Sequence, residues 1–248
     1  MHFVVLVAGL GSRLGDLTKE RPKCLIEIDG KTILERLLEQ AEETGEFTDI
    51  IVLTGYMSET INEFIDGWNQ RENGLRIRAV HNPNFYKTNN GYSLWCAKDV
   101  IKNAFVLCDG DLVLDTTILK RIVYGDNTSK ETSLVAVDMQ SKLDAEAMKF
   151  TRNENGFINK LSKEISIFEG EGESIGLCRI TTKDVTEIFY YLDKMIKEGM
   201  LNDYYERAFQ EYLLQGWKPK VIDIGDLSWV EIDDELDFQR AQLKFEIQ

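Results

Sequence analysis

Two periods run through the hydrophobic and polar positions of this chain, and the switches between them mark its elements. Residues 3–7 (FVVLV) form an unbroken apolar run rich in β-branched side chains, the length of a strand buried on both faces. Residues 25–28 read as a short strand ending in the turn Asp29-Gly30-Lys31. Ile33, Leu34, Leu37, Leu38 and Ala41 then recur at helical spacing, predicting a helix from a cap near Thr32 to Thr44. Residues 49–54 are a second buried strand, 58–68 a helix, Asn73-Gly74 a turn and 75–81 a third strand. A loop turns at Asn89-Asn90-Gly91 into a helix through Ser93, Ala97 and Val100, followed by a strand at 104–108 and a helix at 116–124.

From Ser133 the pattern changes. Strands at 133–138, 147–151, 157–161 and 174–180 follow one another without helices, and Asn153-Glu154-Asn155-Gly156 is a hairpin turn. Helices at 183–198 and 202–215, a strand at 220–224 and a closing helix bearing Leu236, Phe238, Ala241 and Leu243 complete the chain. Strands alternating with helices require right-handed crossovers and give an α/β fold with a mixed, mostly parallel sheet flanked by helices. The helix-free run adds a small β-rich extension. With no repeat, linker or low-complexity stretch, a single domain is expected, residues 1–130 forming one functional part and 131–248 the other.

Composition narrows the function classes. The 248 residues are 43% hydrophobic and 29% charged, with a formal net charge of −14. That charge disfavours a nucleic-acid binder or a protein held on an anionic membrane. No stretch has the apolar length of a membrane span, and the start lacks a basic, cleavable leader, so a cytoplasmic protein without integral membrane association is expected. Cys24, Cys96, Cys108 and Cys178 are scattered, which suits reduced core thiols better than a zinc site.

Against that acidic background, the end of the first strand carries the candidate chemistry. Ala8-Gly9-Leu10-Gly11-Ser12-Arg13 is a glycine loop where ligands of parallel sheets bind, and Arg13 and Lys23 supply local positive charge. It lacks the Lys-Ser/Thr ending of a P-loop and the third glycine of a dinucleotide fingerprint. Asp109-Gly110-Asp111 follows the strand at 104–108. Such a pair is either a solvated turn or, since neighbouring carboxylates repel unless a cation compensates them, an approach to bound Mg²⁺. Asn90, Gly91 and Ser93 fit a capped turn equally with amides that read a nucleotide base. Lys149 and Lys163 read first as solvated charges. Tyr204 and Tyr205, among the aromatic residues of the late helices, read as core or, beside Asp203, Glu206, Trp229 and Glu231, as a cage for a quaternary ammonium. The aspartates of WVEIDD are natural helix caps.

The string from Ala8 to Leu14, with Thr18, Pro22-Lys23 and Leu25, resembles the signature of sugar-phosphate nucleotidyltransferases and related cytidylyltransferases, with Val7 where that family usually has alanine. Asn90-Gly91-Tyr92-Ser93-Leu94 is similar to a segment of the phosphocholine and inositol-phosphate cytidylyltransferases, close also to those acting on aminoethylphosphonate. The resemblance implies a GT-A-like, Rossmann-related fold and Mg²⁺-dependent transfer of a nucleotide, CTP being the favoured donor, to a small phosphorylated alcohol such as phosphocholine. It implies that Ala8, Gly9, Gly11, Ser12, Asn90, Gly91 and Ser93 hold the nucleotide, while Arg13 and Lys23 act on its phosphates. It assigns the metal to Asp111 and Asp233, with Asp109 accessory. Lys163 takes the acceptor phosphate, with Lys149 and Glu173 beside it. Tyr204 and Tyr205 remain acceptor-side candidates from the aromatic clustering. The oligomeric state stays open, a homodimer included.

Overall fold

The computed structural model describes residues 1–72, 74–125 and 129–245; Asn73 of the expected Asn-Gly turn lies outside them. The first half runs β1 (His2–Val7), β2 (Glu27–Ile28), β3 (Lys31–Thr32), α1 (Ile33–Thr44), β4 (Asp49–Thr54), α2 (Ser58–Asn69), β5 (Ile77–His81) and α3 (Asn90–Cys96). Then come β6 (Phe105–Asp109), β7 (Leu112–Leu114), α4 (Thr116–Tyr124), β8 (Leu134–Asp138), β9 (Lys149–Arg152), β10 (Ile158–Ser162) and β11 (Gly172–Ile180). The chain closes with α5 (Thr182–Lys197), α6 (Tyr205–Leu214), β12 (Lys220–Asp223), β13 (Trp229–Glu231) and α7 (Glu235–Phe245).

Among the described residues, a sheet of nine strands forms the middle layer. Its first half is parallel: β1 lies between β4 and β6, and β5 pairs with β4. The helix-free stretch enters the same sheet antiparallel, because β11 pairs with β6, β8 and β9, and β10 with β9. Alternation along β1 sorts the two cores. Phe3, Val5 and Val7 face the cluster containing Leu34, Leu37 and Leu38, while Val4 and Leu6 face Leu94, Ile188 and Phe209. Helices therefore cover both faces. The α1 stripe is almost wholly buried, each large aliphatic side chain contributing about 1.5–3 kcal/mol. Thr32 begins it with a reciprocal capping box: its hydroxyl accepts from Glu35 N, and Glu35 accepts from Thr32 N.

Three elements differ from the pattern-based expectation. The α3 helix stops at Cys96, with Asn89 rather than a serine as its cap. Turns continue to Ile101 and keep Ala97 and Ile101 buried in line with Leu94, so the apolar period outlasts the helix. The short strands β7 and β13 carry too few residues to show a period, yet they pair antiparallel with Leu112 opposite Glu231. Ile232 N donates to Asp111 O at 3.0 Å, extending that contact. This small ribbon brings two distant acidic segments together.

Glycines make room at the same edge. A Cβ on Gly110 would lie 2.5 Å from Leu6 O, so the chain after β6 crosses β1 only without a side chain. At Gly176, in an irregular stretch of β11, φ is +77° and a Cβ would fall 2.4 Å from Asp109 Oδ2. Gly176→Ala is expected to cost about 2 kcal/mol or more, through left-handed strain and steric displacement of Asp109. A urea midpoint close to that of the unaltered protein would refute this.

Candidate active site

The ends of β1, β6 and β13 converge on one cleft, a cavity of about 360 Å³ whose wall includes Ala8, Gly9, Arg13, Asp109, Asp111 and Asp233. Lys23 reaches it from behind. The 3₁₀ turn Lys23–Leu25, entered through extended Pro22, aims the ammonium between two carboxylates. Its Nζ donates to Asp111 Oδ2 and Asp233 Oδ1, both at 2.8 Å. Arg13 holds the other oxygen of Asp233 at 2.6 Å. Gly11 lets the loop close over this lysine, since a Cβ there would meet Thr18 Cγ2 at 3.0 Å and Lys23 Cβ at 3.2 Å. Thr18 Oγ1 donates to Gly11 O at 3.0 Å and fixes the closure.

Negative charge remains in excess. Ligand oxygens of Asp111, Glu231 and Asp233 all lie within 4.8 Å of one another. Asp109 Oδ1 and Asp111 Oδ1 are buried without a hydrogen-bond partner. Burial opposes the charge on Lys23, but Asp111 and Asp233 outweigh it and hold the lysine protonated. Burial likewise opposes ionisation of Asp233, which Lys23 and Arg13 overcome, keeping its pKa below the usual carboxylate range. Glu231 reaches solvent through the cleft mouth, yet burial of its carboxyl among Asp111 and Asp233 pushes its pKa up to about 8. For Asp109, burial and then Asp111, Glu206 and Glu231 drive the pKa well up. Unpaired buried carboxylate oxygens around such a trio are a donor set suited to a divalent cation.

The remaining expected residues divide. Asn90 and Ser93 line the cleft with Ala8 and Gly9. Asn90 Oδ1 also accepts from Tyr205 N at 3.0 Å, and Ser93 Oγ from Asn82 Nδ2 at 3.0 Å, so the segment is held before any ligand arrives. Gly91 packs behind it, where a Cβ would sit 2.8 Å from Asp203 O. Gly11 and Ser12 lie outside the cleft wall. Lys163, Glu173 and Tyr204 do line it.

Two expectations are corrected. Lys149 is not a solvated charge beside the acceptor: it is 1% exposed, and its Nζ donates to Asp144 O and Ala147 O, both at 2.9 Å. Tyr205 is 2% exposed and packs on Phe209 in the core. The aromatic cage is therefore not assembled. Trp229 donates its indole N–H to Asp138 Oδ2, and the Tyr204 ring already faces Lys163 Nζ at 4.8 Å. Glu231 and Glu206, expected only as neighbours of that cage, instead stand in the acidic wall. For Glu231 a signal existed: Glu-x-Asp in WVEIDD repeats the spacing of Asp109 and Asp111.

A mixed sheet with a glycine loop, basic residues and an acidic cluster at its strand ends defines an enzyme that handles a phosphorylated nucleotide. Residues 3–142 match the MobA-like NTP transferase domain family, and the chain belongs to it as a nucleotidyltransferase. It is 25% identical over 256 residues to the CTP:phosphoglutamine cytidylyltransferase of Campylobacter jejuni, covering 94% of this chain and 96% of that protein. It is 28% identical over 251 residues to the CMP-5'-(3-aminopropyl)phosphonate synthase of Streptomyces rubellomurinus, matching 98% of this chain but only 38% of that longer protein. The solved CTP:phosphocholine cytidylyltransferase of Streptococcus pneumoniae superposes with a TM-score of 0.76 at 21% identity, over 98% of this chain and 97% of that one. This structural likeness carries the fold.

Burial pushes the Glu206 carboxyl up to about 7. A carboxyl raised in the folded state keeps its proton while the unfolded one, near about 4.3, loses it, so stability falls as pH rises between those values. Glu206→Gln removes this penalty. It is expected to gain stability over the unaltered protein at pH 8 and to converge with it towards pH 5. Parallel urea curves at both pH values test the sign.

Proposed function

We propose that the protein transfers CMP from CTP to a small phosphorylated or phosphonylated acceptor, releasing pyrophosphate. An acceptor oxygen forms a bond to the α-phosphorus as the bond from that phosphorus to the bridging oxygen of the departing pyrophosphate breaks. Such chemistry asks for positioning and charge neutralisation rather than a covalent nucleophile. The observation that carries the reading is the junction of Lys23 with Asp111 and Asp233 beside the Arg13 loop. It supports the reading by setting fixed positive and negative groups at the sheet edge, where on this proposal a triphosphate would meet its acceptor.

Within this reading Ala8, Gly9, Asn90 and Ser93 bound the nucleotide, Gly11, Ser12 and Gly91 shape the backbone around it, and Arg13 and Lys23 neutralise its phosphates. Asp111, Asp233 and, as an addition to the expected pair, Glu231 would hold Mg²⁺, with Asp109 buried behind them. Bound there, the ion would supply charge neutralisation between two anionic reactants. Residues 1–130 form the nucleotide part in this proposal, while 131–248 supply the acceptor side through Lys163, Glu173 and Tyr204. Cytidine as the base is supported by the names of the relatives described above.

Pyrophosphate release, measured for four nucleoside triphosphates against phosphocholine, 2-aminoethylphosphonate, inositol-1-phosphate and glucose-1-phosphate, tests the proposal. Release is expected with CTP, an acceptor and Mg²⁺ together. Asp111→Ala is expected to lower it by at least about 10³-fold, with the far-ultraviolet circular dichroism preserved. Turnover retained in a folded variant refutes the metal assignment, and equal release with every triphosphate refutes the base.

A further inference from the structure

Away from the acidic trio, the cleft holds another carboxylate with no role in the transfer just described. Glu206 stands in the first turn of α6, is 6% exposed, and lines the cleft. Its Oε2 is buried with no hydrogen-bond partner. A buried carboxylate normally pairs with a cation or a donor, because leaving it alone forfeits its hydration. The Tyr205 hydroxyl supports it and Lys163 attracts it from a distance, but among the described residues no cation hydrogen-bonds the free oxygen. Lys163 is turned elsewhere, 3.4 Å from Glu146 and across the Tyr204 ring.

Glu206 also sits where two cavities meet. A second hollow, about 610 Å³, runs beside β10 and α6, and it shares Met148, Lys163, Tyr204 and Glu206 with the first. Lys163 and Glu206 therefore both border the junction of the two cavities.

The structure assigns Glu206 as the anchor for a primary ammonium group on the acceptor, which makes the acceptor class an aminoalkyl phosphate or phosphonate. This inference rests on the transferase reading above and names the substrate class of the same site. A primary ammonium offers N–H donors to a carboxylate, and a charge-assisted bond of this type is a strong one. A quaternary ammonium has no N–H and relies on open aromatic faces. Here the face of Tyr204 is taken by Lys163, Tyr205 is in the core, and Trp229 lines neither of the two cavities. An uncharged polyol would leave Oε2 without its counter-charge.

The test uses matched acceptors with CTP and Mg²⁺: phosphoethanolamine against ethyl phosphate, and 2-aminoethylphosphonate against ethylphosphonate, with phosphocholine as the quaternary arm. The unaltered protein is expected to favour the amino member of each pair by about 10- to 100-fold in kcat/KM, chiefly through KM. In Glu206→Gln that ratio is expected to fall towards one, and Glu206→Asp to restore part of it. A purely structural role for Glu206 would move both members of a pair together. Equal turnover of amino and desamino acceptors by the unaltered protein overturns the inference while leaving the transferase reading standing, as does a preference for phosphocholine over both amines. These ratios decide the matter even if both Glu206 variants fail to fold. Pyrophosphate release with none of the acceptors overturns the transferase reading and this inference together.

Discussion

The constraint on which the site depends is the confinement of like charges. Asp109 and Asp111 follow one strand end and Glu231 and Asp233 another, and their pairing brings Asp111, Glu231 and Asp233 within a few ångströms of one another, with Asp109 buried close by. Desolvated carboxylates in such proximity repel strongly unless a cation shares the space. Lys23 is that cation, bridging Asp111 and Asp233 from a position where burial opposes its charge. Arg13 adds a second contact at the mouth. Most features of the opening loop follow from the need to deliver these two charges: Gly11 so that Thr18 and Lys23 can close beneath it, Pro22 so that the chain enters the lysine turn extended.

The scaffold makes the same allowance from the other side. Gly110 lets the acidic turn cross β1, and Gly176 leaves an opening for the Asp109 carboxylate in β11. The β7–β13 ribbon sets Glu231 opposite Leu112, and the bond from Ile232 N to Asp111 O extends the alignment to Asp233. Through Leu112, Val113 and Leu114 the ribbon is itself anchored in the apolar core. The stability of these contacts comes from the sheet and its two hydrophobic layers, a rigid frame that can bear an electrostatically costly edge.

Local signals made the frame legible, and long-range contacts hid the rest. The apolar run of β1, the stripe of α1 and the Asn-Gly hairpin between β9 and β10 each announce themselves within a few residues. Lys23 and Asp111 stood out because both lie a short step from a strand end in recognisable strings. Lys149 did not reveal itself as buried, because its partners are the carbonyls of Asp144 and Ala147, and backbone acceptors leave no mark in a sequence. Tyr204 is the extended N-cap of α6 and Tyr205 its first residue, and the packing of α6 against the rest of the fold decides which of the two faces the cleft. The β7–β13 pairing is likewise invisible, since three-residue strands have no period to read and their contact spans more than a hundred positions.

An acidic cleft for an anionic substrate is coherent once the charges are taken together. The wall carries more carboxylates than cations, so a bare triphosphate would meet net repulsion there. The same wall attracts a divalent ion, and on the proposed reading each of the two makes binding of the other more favourable. That coupling is reciprocal by thermodynamic necessity. At the acceptor end the same logic holds on that reading with a different partner: Lys163 would balance a phosphate, and the remaining acidic groups would favour an acceptor that brings positive charge of its own. On the proposed reading, the electrostatic surplus of this cleft would select ligands at both of its ends, each end being short of a cation that the ligand brings.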